Sequence, residues 1–416
     1  NGGRERSPAF AAVRDGRESC REGTAEPHGL LAHGSRTHEL WASQRSTVRW
    51  KRVRRRLPEE ANEMAQAVRA ALMRGGTSKG LFLRARDLPA AILPGAMRTQ
   101  LRSRTREGGG GALDRFLASA LGSPDGSGMQ LNGVGAGISS TSKVAIVERS
   151  EREGCDVDYY FAQVDMRSGV VDWSGSCGNL AAAVGVFARM ERLLPDQAET
   201  VRVYQANLGY RMDVTLSPAD APFDTSVPGV PGRGQKIEVK MLRPSAGDKA
   251  LLPTGRPTDL IHLPSGRQIE ATLLCGANPT VLVRSRDVWG ADTPPVSPPG
   301  FPATQEHPSA WRVDHGLLAV VDHLRREGAQ RMGIQVAAAL RVAFIAPPGA
   351  YQASDGSFVE AQDVDLTASI STPGRIHHAF TGTGAVNIAA AACIPGTLVH
   401  SILAAGGQPP AGGREE

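Results

Sequence analysis

The sequence lacks the features that mark several common classes of protein. Among its 416 residues there is no apolar run long enough to span a bilayer, which argues against a transmembrane protein. The five cysteines are widely scattered and odd in number, which argues against a disulfide framework or a paired-cysteine zinc site. We therefore expect a reducing compartment, the cytoplasm, and no bound metal.

Nucleotide-binding motifs are also missing from the chain. No G-x-x-x-x-G-K-[ST] spacing is present, so a nucleotide P-loop is excluded. The alternating glycines of residues 133–137 are like those of a dinucleotide-binding turn, but they precede a predicted strand and do not open a helix. The pattern therefore does not predict a Rossmann-type site.

The excess of positive charge lies in one part of the chain. The first 57 residues contain 13 lysines and arginines against 6 acidic residues, while the whole chain carries a net charge of +5. The basic cluster at residues 50–56 lacks an RNA-binding motif and interleaved aromatics, so we expect neither nucleic acid nor a membrane as a partner. The acidic residues argue against an organellar transit peptide. We expect residues 1–65 to form a disordered basic leader.

Composition and element pattern predict an α/β protein with two domains. The length and the hydrophobic content of 41% suffice for two domains, each with its own core. The clearest elements are strands at 157–164 and 200–205 and helices at 112–121 and 180–190. A run rich in Pro and Gly at residues 218–234 marks either a hairpin excursion or the approach to a domain crossover.

A cysteine lies between small residues at a predicted turn from strand to helix. Cys177 follows the apolar residues 170–173 and precedes an Ala-rich run with helical spacing. At a helix N-terminus, unpaired N–H groups and the helix dipole stabilise a thiolate or a bound carboxylate. The other interpretation is a small buried residue in a glycine-rich turn. The pattern alone leaves both open.

Two further segments, residues 73–83 and 132–143, are rich in glycine and hydroxyl side chains. The first contains Lys79 in a turn that can hold an anion with backbone N–H groups, and the second ends at Lys143, just before a β-branched strand. With Cys177, they supply two lysines, a thiol and many small donors. This set suits a polycarboxylate that is held while a proton moves.

These three segments and five shorter motifs resemble the PrpF proteins, the 2-methylaconitate isomerases. The shorter motifs lie at residues 331–333, 345–348, 362–366, 377–379 and 394–398. The resemblance runs in order from Met73 to Gly406. It implies the diaminopimelate-epimerase-like fold, an α/β (α+β) architecture of two similar domains, each with a sheet wrapped around a central helix. The implied domains are residues 66–235 and 236–416, with the active site in the cleft between them.

The resemblance implies a cofactor-independent isomerase of unsaturated polycarboxylates. Such an enzyme removes a proton next to a carboxylate and returns it, so it needs a base and positive potential at the carboxylate. The leading hypothesis is cis-trans isomerisation of 2-methylaconitate in propionate catabolism by the methylcitrate cycle. The alternatives within this class are 4-oxalomesaconate tautomerase, methylitaconate isomerase and aconitate isomerase. A cysteine hydrolase is disfavoured because no motif ties a histidine to Cys177.

The resemblance also assigns roles to individual residues. Lys143 matches the lysine that the family places in the cleft and is the predicted principal acid/base. Cys177 matches the cysteine that serves as an acid/base in the epimerase relatives, and a catalytic and a structural role both stay open. The predicted substrate ligands are Arg74, Thr77, Ser78, Lys79, Ser140, Thr141, Ser142, Gly178 and Asn179 from the first domain and Asn278, Thr280, Met332 and Gly333 from the second.

The end of the chain departs from the family pattern. Family members continue past residues 404–407 into a strand and a Gly-His-Pro-Ser-Gly turn, and this sequence ends at Glu416 without them. An alternative of another class is therefore an inactive, truncated paralogue that binds polycarboxylates or an aconitase-type partner. The partners expected for the enzyme are a small tricarboxylate substrate, a functional link to an aconitase-type dehydratase, and a second copy in a homodimer.

Overall fold

The structure is a computed structural model that describes ten segments of the chain. They are residues 68–93, 111–194, 198–227, 230–242, 250–289, 315–335, 340–352, 357–372, 375–377 and 380–406. The expected leader, residues 1–65, lies outside them. All ten segments belong to the compact unit His38–Glu416. Within them, every helix is too short or too polar to cross a bilayer.

An eight-stranded mixed sheet forms the first half of the described chain. Its strands are β1 (Ala70–Gly75), β2 (Ser78–Arg84), β3 (Lys143–Arg149), β4 (Val157–Val164), β5 (Val171–Asp172), β6 (Thr200–Gln205), β7 (Tyr210–Leu216) and β8 (Ile237–Leu242). The order is β1-β2-β3-β4-β6-β7-β8, with β5 paired to β4. The β2–β3 and β4–β6 pairs are parallel and the other pairs are antiparallel.

Helices cover both faces of this sheet. Helix α2 (Gly178–Met190) contacts six strands, β1, β2, β3, β6, β7 and β8, so the sheet wraps around it. Helix α1 (Ala112–Leu121) packs on the other face. Strand β3 has the period-two alternation of a buried strand: Ala145 belongs to the core under α2, and Ile146 belongs to the core under α1. The predicted helices and strands of this half are confirmed.

A six-stranded sheet forms the second half. Its strands are β9 (Asp259–His262), β10 (Gln268–Cys275), β11 (Pro279–Arg284), β12 (Arg341–Ala346), β15 (Thr367–Thr372) and β16 (Arg375–Ile376), in the order β16-β15-β12-β11-β10-β9. Strands β13 (Tyr351–Gln352) and β14 (Phe358–Val359) form a separate hairpin. Short 3-10 turns occur at Ala85–Asp87 and Ala361–Asp363.

The described residues of the second half include four helices. They are α3 (Ser285–Trp289), α4 (His315–Met332), α5 (Gly382–Ala392) and α6 (Leu398–Ala405). Helix α4 packs on one face of the sheet, and α5 and α6 share an apolar core with the other face. Helix α5 also contacts α2 of the first half, which brings the two helices together between the sheets.

The Pro- and Gly-rich run at residues 218–234 is an excursion within the first sheet. An isolated bridge joins Thr225 to Gly234, and the strands on either side of the run, β7 and β8, pair with each other. The first sheet therefore extends beyond the domain boundary expected at residue 235. The division of the chain into two domains stays a prediction.

Candidate active site

Helix α2 begins at a cysteine, as predicted. Cys177 is the N-cap residue, with extended backbone angles, and its Sγ accepts a hydrogen bond from the Leu180 N–H at 3.5 Å. The thiol also donates to Ser78 Oγ on β2, at 3.6 Å, and the residue is only 8% exposed. The thiol therefore lies among the free N–H groups of the helix, whose dipole favours negative charge there.

The β1–β2 hairpin turn packs directly on this helix start. Asn179 Nδ2 donates to Thr77 Oγ1 at 2.9 Å. A Cβ atom on Gly75 would lie 2.2 Å from the Asn179 carbonyl oxygen, so only glycine allows the turn to approach this closely. The structure thus brings together the predicted ligands Thr77, Ser78 and Asn179.

Two cations flank the same turn. Arg74 and Lys79 are cross-strand partners in the β1–β2 pair, and Arg74 Nε donates to the Gly76 carbonyl. Burial lowers the pKa of Lys79 below its ordinary value, and the neighbouring charge of Arg74 lowers it further. Burial also lowers the pKa of Arg74. An anion bound between these side chains would relieve both effects.

Lys143, the predicted acid/base, begins β3 and is only 7% exposed. Its Nζ donates to Gln163 Oε1 at 2.5 Å and lies 5.3 Å from the centroid of the Phe161 ring. Gln163 Nε2 donates to the carbonyl oxygens of Ser139 and Ser142, at 3.1 and 2.8 Å. Since the amide nitrogen has to face those carbonyls, the amide oxygen faces the ammonium group. Sequence reasoning missed Gln163, which carries no motif signal inside β4.

The hydroxyl-rich segment before Lys143 is held by hydrogen bonds within the protein. Ser142 Oγ donates to the Val164 carbonyl and accepts from Gln130 Nε2. Thr141 Oγ1 donates to the Ile138 carbonyl, and the Ser140 carbonyl accepts from the Lys79 N–H. These bonds fix the loop that precedes Lys143. The ligand role of the three hydroxyl residues stays a prediction.

The second sheet reaches the site through Asn278, which lies in the turn between β10 and β11. Its Oδ1 accepts from the Ser176 N–H at 3.0 Å, and its Nδ2 donates to the Ser176 carbonyl at 3.1 Å. The same Nδ2 donates to Thr383 Oγ1 in the first turn of α5, at 2.8 Å. The predicted ligand Asn278 therefore joins the residue before Cys177 to helix α5.

The N-termini of α2 and α5 meet at this point. Thr381 caps α5, and its Oγ1 accepts from the Gly384 N–H at 3.1 Å. A Cβ atom on Gly178 would lie 3.5 Å from the Thr383 backbone nitrogen. Two helix N-termini side by side form an electropositive region that suits a carboxylate. Sequence reasoning missed Thr381 and Thr383, although a glycine- and hydroxyl-rich turn before an Ala-rich run is the same signal that identified the turn at Cys177.

A buried guanidinium from the second sheet lies beside the same loop. Arg341 begins β12, and its Nη2 is 3.2 Å from the position that a Cβ atom on Gly175 would take. Burial lowers the pKa of Arg341, while the charge of Asp172 acts in the opposite direction. The side chain stays cationic because its ordinary pKa is far above neutrality. A single arginine at the start of an apolar strand gave no signal in the sequence.

A buried tyrosine forms a hydrogen bond to the loop that precedes Cys177. Tyr210 OH donates to Ser176 Oγ at 3.2 Å, and burial raises the pKa of Tyr210 to about 12. The phenol is therefore neutral near pH 7 and serves as a hydrogen-bond donor to the residue before Cys177.

Of the other residues predicted across the cleft, Thr280 and Met332 are buried and Gly333 is exposed. Thr280 is fully buried, and its Oγ1 donates to the Asn278 carbonyl and accepts from Asn387 Nδ2. Met332 packs in the apolar core of the second sheet, and Gly333 follows it with a positive φ of 62° at the end of α4. These contacts account for all three residues without a ligand, so their predicted role as ligands rests on the resemblance alone.

The site combines a thiol, a buried ammonium group, further cations and two helix N-termini. Among the residues that the structure describes, no group of three or more His, Cys, Asp or Glu side chains is arranged to hold a metal ion. Arg341 of the second sheet lies beside Gly175 in the turn before Cys177, while Arg74 and Lys79 of the first sheet lie on the hairpin whose Ser78 contacts Cys177. The arrangement is able to bind a molecule with several carboxylates and to exchange protons with it.

Comparisons with known proteins agree over most of the chain. Residues 65–410 match the family model described as PrpF protein. A 2-methyl-aconitate isomerase of Shewanella oneidensis is 37% identical over 364 residues, which cover 82% of this chain and 84% of the relative. A 2-methyl-aconitate isomerase of Cupriavidus necator is 36% identical, covering 81% of this chain and 84% of the relative. The crystal structure of a methylitaconate-delta-isomerase superposes with a TM-score of 0.57 at 29% identity, covering 80% of this chain and 82% of that one.

Proposed function

Because this chain belongs to the PrpF protein family, we propose that it is a cofactor-independent isomerase that interconverts the cis and trans forms of 2-methylaconitate in propionate catabolism by the methylcitrate cycle. Its fold is the diaminopimelate-epimerase-like fold. The observation that carries the proposal is the meeting of α2 and α5 at Cys177, with the guanidinium of Arg341 beside Gly175 in the preceding turn.

A tricarboxylate substrate matches the charges of this site. Arg74 and Lys79 come from the first sheet and Arg341 from the second, and the free N–H groups of the helix starts add partial positive charge. Carboxylates that bind there are held by charge-assisted hydrogen bonds. Binding at several points fixes the carbon skeleton relative to Lys143 and Cys177.

The reaction needs a proton transfer at one carbon. Lys143 in its neutral form removes a proton from the carbon that lies between a carboxylate and the double bond. The electron pair left on that carbon spreads through the double bond into a second carboxylate, so the former double bond is free to rotate. Return of the proton to the same carbon restores the double bond in the other geometry. Cys177 is the candidate acid/base on the opposite side of the substrate.

A second substrate has support from the structural comparison. The superposition with a methylitaconate-delta-isomerase favours methylitaconate as the alternative. Proton removal from methylitaconate gives an allylic anion of the same kind, and return of the proton to a different carbon shifts the double bond, so the first step would be of the same type. Oxalomesaconate and aconitate are the remaining alternatives of this class.

Location and partners are further parts of the proposal. We propose a cytoplasmic location, which the scattered cysteines support; Cys155, Cys177, Cys275 and Cys393 are free thiols. We also propose a functional link to an aconitase-type dehydratase, whose substrates belong to the same class of tricarboxylates.

Proton NMR in D2O tests the proposal. The purified protein is incubated separately with 2-methylaconitate, methylitaconate, cis-aconitate and oxalomesaconate, and each incubation is repeated with the Lys143→Ala variant. We expect isomerisation with deuterium uptake on 2-methylaconitate for the natural chain, and neither for the variant. If the protein turns over a different one of these compounds, that compound is the substrate in place of 2-methylaconitate. A folded protein that exchanges no proton with any of the four compounds would contradict isomerase activity.

A further inference from the structure

Asn278 occupies the junction between the two sheets and is only 2% exposed. Its side chain pairs with both polar groups of the Ser176 peptide unit, accepting from the N–H and donating to the carbonyl. Such two-point pairing fixes both the distance and the orientation of the partner. Ser176 directly precedes Cys177, so the pairing sets the position of the α2 N-cap.

The other end of this connection is helix α5. The second amide hydrogen of Asn278 goes to Thr383 Oγ1, and the Asn278 carbonyl accepts from Asn387 Nδ2 at 2.6 Å. Asn387 Oδ1 in turn accepts from the Ala277 N–H at 3.0 Å. Asn278 is therefore held by α5 at the side chain and at the backbone. A continuous set of hydrogen bonds runs from α5 through Asn278 to the residue before Cys177.

Both amide hydrogens of Asn278 are thus used within the protein, which does not suit a substrate ligand. We propose that Asn278 is a positioning residue that fixes the two helix N-termini relative to each other and so sets the spacing of the carboxylates that the site accepts. This inference rests on the proposed function, because the spacing matters only to a ligand that touches both helix starts. It replaces the role of substrate ligand predicted for Asn278.

The physical basis is the sensitivity of catalysis to geometry. A reacting group that is displaced by about 1 Å can lower the rate about a hundredfold. Loss of the Asn278 amide frees the Ser176 loop and α5 to move apart by such an amount, while the apolar cores of both sheets stay intact. The aspartate side chain has the same shape but presents an oxygen to the Ser176 carbonyl and to Thr383, so it cannot donate to either.

The test compares Asn278→Ala and Asn278→Asp with Thr272→Val as the matched control. Thr272 is fully buried in β10 of the same sheet, where its Oγ1 donates to the Pro257 carbonyl and accepts from the Leu398 N–H. For each variant, kcat and KM for 2-methylaconitate, thermal unfolding, and calorimetric binding of tricarballylate, a saturated tricarboxylate, are measured. All activity assays are made well below the unfolding temperature.

We expect both Asn278 variants to lower kcat/KM about a hundredfold and to weaken tricarballylate binding about tenfold. Thr272→Val lowers the unfolding temperature but leaves kcat, KM and tricarballylate binding at their natural values. If the Asn278 variants do not fold, Thr383→Val removes a single bond of the set, and the same two readouts should fall by a smaller factor. The inference would be overturned if the Asn278 variants had a lower unfolding temperature but unchanged kcat/KM and unchanged tricarballylate binding. The same holds for Thr383→Val if it has to replace them.

The binding arm separates this inference from the proposed function. If the natural protein binds tricarballylate but isomerises none of the substrates, the proposed function is wrong. Weaker tricarballylate binding by the Asn278 variants would then still support the positioning role. If the natural protein is active and the Asn278 variants are equally active, the inference is wrong and the proposed function stands. A natural chain that neither isomerises nor binds tricarballylate contradicts both.

Discussion

The two helix N-termini that meet in the site differ in the chemistry of their caps. Helix α2 is capped by the thiol of Cys177 and α5 by the hydroxyl of Thr381. The first sheet also contributes Lys143, while the second contributes the amide of Asn278 and the guanidinium of Arg341. The thiol and the amine that are the candidate acid/base groups therefore lie on the side of the first sheet, while the second sheet contributes only groups that hold and orient.

The caps also differ in what they do for stability. Serine, threonine, aspartate and asparagine are the preferred N-caps, and sulfur is a weak hydrogen-bond acceptor. Leu180 N–H donates to Cys177 Sγ at 3.5 Å and Gly384 N–H donates to Thr381 Oγ1 at 3.1 Å, so each cap makes the usual bond for its acceptor atom. A hydroxyl would cap α2 better than the thiol does. This comparison favours a chemical role for Cys177 over a purely structural one.

Exchange of the thiol cap for a hydroxyl should have the largest effect. Cys177→Ser keeps a good N-cap but removes the acidic thiol, so we expect kcat to fall about a thousandfold with no loss of thermal stability. Steady-state kinetics and thermal unfolding check this. Cys393→Ser, at the exposed C-terminal end of α5, is the control and should leave both unchanged. A fully active Cys177→Ser enzyme would show that Cys177, like Thr381, acts only as a helix cap.

Removal of the guanidinium from the second sheet should affect binding more than turnover. We expect Arg341→Met to raise KM about 10- to 100-fold, the value of a charged hydrogen bond to a carboxylate, with a smaller change in kcat. Arg284→Met is the control, because Arg284 ends the neighbouring strand β11 and pairs with Glu270. An unchanged KM with lower thermal stability would make Arg341 a structural partner of Asp172.

The partner of Lys143 offers a smaller test on the first sheet. Gln163→Leu leaves Lys143 Nζ without its amide oxygen, so we expect kcat to fall about tenfold at nearly constant KM, the equivalent of one hydrogen bond. Gln205→Leu is a matched control, since Gln205 is a buried glutamine on β6 that bonds Asn207 and Leu208. If kcat falls equally in both variants, the loss comes from a disturbed sheet and not from the missing bond to Lys143.

The smallest effect is expected at the hydroxyl cap. Thr381→Ala should lower the free energy of unfolding by about 1 kcal/mol and raise KM only slightly, because the helix keeps its free N–H groups. Urea unfolding and steady-state kinetics measure the two quantities. Thr397→Ala removes the cap of α6 and should lower stability by a similar amount without any change in KM. A large loss of kcat in Thr381→Ala would show that the second sheet also takes part in the proton transfer.

Local patterns predicted the parts of the site that are contiguous in the chain. The turn at Cys177 and the loops at Lys79 and Lys143 each carry small residues next to a strand or helix signal. The structure brings Cys177 into contact with Ser78, and Asn179 into contact with Thr77. The helices α1 and α2 and the strands β4 and β6 were predicted as well, because their apolar residues repeat at the period of each element. The long-range contacts of the site had no such signal.

The sequence by itself determined the family, the fold class, and the local geometry of the strand-to-helix turn at Cys177. Each of these depends on residues that are close along the chain, where turn, cap and periodic preferences act directly. The tertiary structure alone decided that Asn278 pairs with Ser176, 102 positions away in the chain, and that Arg341 lies beside Gly175. An isolated asparagine or arginine has the same local preferences wherever it occurs, and only the packing of the two sheets selects its partner.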